Sequence, residues 1–153
     1  MLEFNYDLNY KELDFTDEET RKLYRIGRGE QGVLLVRPYT DDICAHWRFK
    51  TPEIAVESSN KIFAMYLDYR DEEDFIGMDM CRKFLEMGFT RSRRYANHRD
   101  GKKYDKEGNI ISQEKAHATC HFAKSANIFK KVRDIVAKNE TYVKMRKQWR
   151  SEE

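Results

Sequence analysis

Three groups of residues have types and spacings that suit chemistry. The first is Gly27-Arg28-Gly29-Glu30-Gln31-Gly32, which satisfies G-x-G-x-x-G. That spacing brings backbone amides against phosphates in dinucleotide sites and in kinases. A dinucleotide site needs a strand before the glycines and a helix after them, and here the expected order is reversed. A kinase needs more: His98-Arg99-Asp100 spells the start of a catalytic loop, but the residue five past Asp100 is Asp105, not a metal-holding asparagine, and no Asp-Phe-Gly occurs. What remains is a candidate phosphate site at Arg28, Gly29 and Gly32, set against a plain reading in which Gly27 ends a helix and the glycines make a turn.

The second group is Glu114, His117 and His121, at i, i+3 and i+7 on one helical face. Two histidines four apart and a carboxylate can hold a divalent metal. No Cys-x-x-Cys accompanies them, so the expectation is a polar helix start with no metal and no cofactor.

The third and densest group is Thr90 to Tyr104, with six Lys/Arg in fifteen residues. Arg91, Arg93, Arg94, Arg99, Lys102 and Lys103 are candidate phosphate contacts, and Tyr95 can stack on a base or pack on a sugar. In a helix, Arg91, Arg94, Tyr95 and His98 share a face. Lys130, Lys131, Arg133, Lys144, Arg146, Lys147 and Arg150 extend the basic field. The competing reading is a solvated basic face paired with the protein's own acids.

That competition follows from the charge distribution. The 153 residues carry a formal net charge of +2, yet residues 1–81 hold 10 Lys/Arg against 18 Asp/Glu, while residues 82–150 hold 19 against 7. Such asymmetry suits a polyanion partner, or pairing of the two halves within or between molecules. Mean hydropathy is −0.89, and no apolar run approaches the roughly 18 residues of a membrane span. Two prolines and seven glycines exclude collagen-like and low-complexity chains. Three scattered cysteines, Cys44, Cys81 and Cys120, do not make a disulfide framework, and no secretory signal opens the chain. A reducing cytoplasmic setting is the expectation.

The elements that must position these residues follow from periodicity and end signals. Thr16-Asp17-Glu18-Glu19 forms a capping box for a short helix reaching Tyr24 or Arg25, with Gly27 at its C-terminal side. Val33 to Val36 reads as a buried strand ending at Pro38. Ile43, Ala45, Trp47 and Phe49 alternate with Cys44, His46 and Arg48, a second strand that can pair with the first as a hairpin. Thr51-Pro52-Glu53 opens a helix. Ile76, Met80, Phe84 and Met87 mark another, which should stop at Gly88, with Thr90 capping a short helix to about Asn97. Residues 98–112 read as a loop or small hairpin. A long helix is expected from about Gln113 to Lys138, then a basic one from about Thr141 to Arg150. The expected fold is α+β: one mainly helical domain over 1–153 with a small antiparallel sheet in its N-terminal third, an N-terminal arm at 1–15 and a basic C-terminal helix or tail at 140–153.

Three blocks are distinctive in wording: Leu23 to Tyr39 (LYRIGRGEQGVLLVRPY), His46 to Ala55 (HWRFKTPEIA) and Asp74 to Asp105 (DFIGMDMCRKFLEMGFTRSRRYANHRDGKKYD). They resemble a domain-of-unknown-function family, number 4385, of short bacterial and tailed-bacteriophage proteins. The resemblance implies a single cytoplasmic domain and supplies no catalytic residue. The functional expectation is a small accessory protein that binds nucleic acid through its Arg/Tyr segment by counterion release, with little sequence reading. The alternatives are a module that docks on a host or phage protein, and an enzyme that handles phosphates or nucleotides through the glycine-rich loop. A non-enzymatic role is favoured.

Overall fold

The structure, a computed structural model, describes residues 2–98, 102–113 and 120–153. It contains six α-helices among these residues: α1 Glu18–Arg21, α2 Tyr39–Cys44, α3 Pro52–Asp71, α4 Phe75–Asn97, α5 His121–Lys138 and α6 Glu140–Ser151. The longest, α4, packs along α5, and α3 lies against both. Ile76, Met80 and Phe84 of α4 meet Phe129 and Val136 of α5 and Ile62 and Tyr66 of α3 in one buried core.

The expected antiparallel sheet is absent from the described residues, and the fold is all-α rather than α+β. Residues 33–36 lie in consecutive turns. Val33 N–H bonds to Glu30 O at 3.1 Å and Leu35 N–H to Gly32 O at 3.0 Å. Thr40 Oγ1 then accepts from Val36 N–H and donates to Val33 O. The backbone groups a strand would offer to a partner are consumed locally. Residues 43–49 misled for another reason. Ile43 and Trp47 are two strand repeats apart, and also one helical turn apart. The second pattern holds, because α2 ends at Cys44 and further turns follow, with Trp47 N–H bonded to Cys44 O at 3.1 Å.

Helix ends follow local chemistry. Thr51 accepts from Ile54 N–H at 3.1 Å and Pro52 takes the first position of α3, the arrangement its sequence predicts. The cap of α1 is Asp17 rather than Thr16, accepting from Thr20 N–H at 3.0 Å, and the helix ends at Arg21. Gly88 does not stop α4, which continues through Thr90 to Asn97. Its missing side chain serves helix packing: a Cβ there would lie 2.4 Å from Phe129 Cδ1 of α5. The helix expected from Gln113 begins among the described residues at His121. Asn139 separates α5 from α6, accepts from Tyr142 N–H, and takes a bond from Tyr66 Oη at 2.9 Å. The N-terminal segment is tied down by Phe4, Tyr10 and Phe15, all buried.

No described helix is long and apolar enough to cross a membrane. Cys44, Cys81 and Cys120 are free thiols.

Candidate phosphate and nucleic-acid interface

The glycine-rich loop is held from inside by a buried charged cluster on α4. Asp79 and Lys83, one turn apart, are both fully buried. Asp79 accepts hydrogen bonds from Tyr142 Oη at 2.6 Å, from Arg82 Nε at 2.8 Å and from Tyr24 Oη. Burial alone would raise its carboxyl pKa. Arg82 and Lys83 beside it, with the bonds from Arg82 and Tyr142, hold it down at about 2. The same carboxylate, after burial, pushes the Tyr24 hydroxyl well above its ordinary value.

Lys83 Nζ lies 3.9 Å from Asp79 Oδ2 and donates to Gln31 O at 2.7 Å. It sits 4.9 Å from the Phe4 ring centroid and 4.8 Å from that of Tyr24. Burial brings its pKa down to about 7, with Asp79 opposing the shift and Arg82 and Arg150 adding to it. Arginines clamp the loop from the side: Arg82 Nη1 donates to Gly29 O and Arg150 Nη2 to Gly27 O, each at 2.9 Å.

This geometry bears on the phosphate cradle. Arg28 N–H goes to Gln31 Oε1 at 2.9 Å, Gln31 N–H to Arg28 O at 3.1 Å and Gly32 N–H to Tyr6 Oη at 3.1 Å, so three of the loop amides already have protein acceptors. Gly32 has φ +76°, and a Cβ there would fall 2.1 Å from Phe4 Cζ. Positive φ and close packing account for this glycine without a ligand. What the loop offers an anion is the cationic surface on its two flanks.

One flank is a cleft of about 780 Å³ between the loop, α4, α5 and α6, lined by Arg28, Arg82, Arg133, Arg146, Lys147 and Arg150 with a single carboxylate among the described residues, Glu86. Several of these cations are already engaged. Arg82 holds Asp79, Arg133 holds Glu86 at 2.6 Å and Asp134 at 2.8 Å, Arg150 holds Glu153 at 3.5 Å, and Arg28 pairs with Glu3. Arg146 and Lys147 are exposed and have no ion-pair partner among the described residues. The other flank is a cleft of about 740 Å³ that shares Arg28, Gly29 and Glu86 with the first and adds Arg91 and Arg94. Arg91 and Arg94 are exposed and likewise form no ion pair among the described residues. They lie near Glu30, which is bonded by Thr90 Oγ1 at 2.8 Å. Burial raises the Glu30 pKa, against the Thr90 bond and the two arginines.

The basic segment is therefore divided by the fold. Arg91 and Arg94 face the loop. Tyr95 instead joins Trp47, Phe49 and Phe122 at a separate cleft of about 1090 Å³. Arg93 is half-buried and donates to Asn97 Oδ1 at 2.8 Å, and His98 is buried. Lys102 and Lys103 are exposed in the segment where Tyr104 and Ile110 form an isolated antiparallel bridge. Arg99, Glu114 and His117 lie outside the described residues. His121 is exposed at the start of α5, and no group of three metal-ligating side chains occurs among the described residues.

Sequence reasoning missed the Asp79–Lys83 cluster. Its signal was present: Asp79, Arg82 and Lys83 interrupt the otherwise apolar run from Phe75 to Leu85 at i, i+3 and i+4. It also assigned Trp47 and Phe49 to a strand's buried face, although both line the aromatic cleft.

A family model described as "Domain of unknown function (DUF4385)" matches residues 5–152. The chain belongs to this family. No curated protein and no solved structure matches it.

Proposed function

We propose that the protein binds nucleic acid through backbone phosphates, with the surface that crosses the glycine-rich loop as its interface. The observation that carries this reading is the pair of adjoining clefts in which Arg91, Arg94, Arg146 and Lys147 stand exposed and form no ion pair among the described residues. The paired arginines, Arg82, Arg133 and Arg150, are held in place by their carboxylates, and the positive potential comes from the four unpaired cations. Lys102, Lys103 and Arg99 are proposed as peripheral contacts, and no catalytic group is assigned. A reducing cytoplasmic setting belongs to the same reading, supported by the three free thiols.

The mechanism is release of condensed counterions. If each of the four unpaired cations neutralises one phosphate, log K falls against log salt with a slope of about −3 to −4. Titration of labelled single-stranded and duplex oligonucleotides by anisotropy, at low and rising salt, tests this. Salt-dependent binding is the expected result. No affinity at low salt for either form removes the reading, and retention of a protein from lysate after nuclease treatment points to a docking module instead.

A further inference from the structure

We infer that the ligand is single-stranded, with unpaired bases seated in the aromatic cleft of Trp47, Phe49, Tyr95 and Phe122; this rests on the backbone-binding reading above and specifies its substrate. The cleft brings together rings from three separate parts of the chain: the segment after α2, the last turns of α4 and the first turn of α5. Tyr95 lies 5.3 Å from Phe122 and 5.6 Å from Phe49, and Trp47 lies 5.2 Å from Phe49, centroid to centroid. Trp47 is fixed by its Nε1–H bond to Phe84 O at 3.1 Å. All four rings are only partly buried, so each keeps some surface toward the opening.

The charge around the opening selects the occupant. Arg48, Lys50 and Lys61 are exposed on the rim against one acid among the described residues, Glu57. Arg48 donates to the backbone carbonyls of Cys44 and Trp47, and none of the three cations forms an ion pair among the described residues. An apolar peptide or a second apolar face would meet three unneutralised charges. A nucleotide strand presents a flat ring to the aromatics and a phosphate to the rim. Continuity supports the same occupant, because Tyr95 follows Arg94 directly and lies one turn beyond Arg91. On this inference the strand runs around this end of α4, from Arg94 at the loop cleft to Tyr95 at the aromatic cleft. A duplex cannot present its paired and stacked bases there.

The test compares a labelled oligothymidylate with an abasic oligomer of the same length and charge, using the full chain at low salt. The expected result is about tenfold tighter binding of the oligothymidylate, with quenching of tryptophan fluorescence from Trp47. In the variants Tyr95→Leu and Phe122→Leu, which keep an apolar side chain and remove the ring, the preference shrinks while abasic affinity stays. Equal affinity of wild-type protein for the two oligomers overturns the inference and leaves backbone binding standing. Failure of both oligomers to bind overturns the inference, and failure of duplex to bind as well overturns the backbone reading. Duplex that competes as well as single strand, or a stable dimer that closes the cleft, also overturns it. The wild-type comparison needs no variant to fold.

Discussion

Replacing Lys83 with Met removes a buried amine while keeping an unbranched side chain of similar size. Lys83 in the folded protein has a pKa of about 7, against an ordinary value of 10.5. Below about pH 7 the amine is charged in both folded and unfolded states, and its burial costs the fold about 5 kcal/mol. Between about pH 7 and 10.5 the unfolded chain binds the proton and the folded chain does not. Stability of the wild type therefore rises with pH in that window, by about 1.4 kcal/mol per pH unit. The thioether that replaces the amine binds no proton in either state. The stability difference, wild type minus Lys83→Met, should thus rise by about 3 kcal/mol between pH ~7 and ~9.5. Loss of the bond to Gln31 O shifts the whole variant curve down by about 1–3 kcal/mol without changing its slope. Other groups that titrate in both proteins cancel in the difference. Urea unfolding across this pH range measures it. Parallel pH profiles for the two proteins would refute the argument, since they would mean that Lys83 keeps its solution pKa in the fold.

Asp79→Asn leaves Arg82 and Lys83 without their buried counter-charge and should destabilise the protein by about 3–5 kcal/mol; the acid limb checks the cause, because Asp79, held at about 2 against an ordinary 3.8, gives wild type a stability present above about pH 4 and lost as pH falls through 2, a step the variant lacks. Gly88→Ala drives a Cβ to 2.4 Å from the Phe129 ring, and thermal unfolding should show a loss of about 1–3 kcal/mol; an unchanged midpoint would mean that α4 and α5 are not in such close approach. Arg146→Glu combined with Lys147→Glu should weaken oligonucleotide binding by about tenfold or more and flatten the salt slope by about 1.5, with the unfolding midpoint retained. An unaltered slope would take these two residues out of the interface.

The correspondence between sequence and structure is uneven for physical reasons. End signals acted locally and were readable: Thr51-Pro52 opens α3, and Asn139 divides α5 from α6. Apolar spacing was ambiguous where segments are short. Ile43 and Trp47 fit a strand and a helical turn equally, and α2 with the turn after it took them, while turn bonds around Gly32 and Thr40 kept residues 33–36 out of a sheet by using the donors it needs. Gly88 carried the spacing of a helix end, but glycine serves equally where two helices touch, and only the position of Phe129 tells which role it has.

The candidate interface divides in the same way. Residue types alone set the charge polarity of the chain and the cation-rich stretch after residue 90, because these are counts and spacings along one dimension. Packing in three dimensions settled which cations remain unpaired. Arg28 and Arg133 pair with acids distant in sequence or on a neighbouring helix, Glu3 and Glu86, whereas Arg91 and Arg94 lie near Glu30 without forming an ion pair, and Arg146 and Lys147 form none among the described residues. It also turned Tyr95 away from Arg91 and Arg94 toward Phe49 and Phe122, and buried Lys83 under the loop. Coulombic pairing and ring packing act over a few ångströms in space, and the chain returns that create those separations are set by the core as a whole.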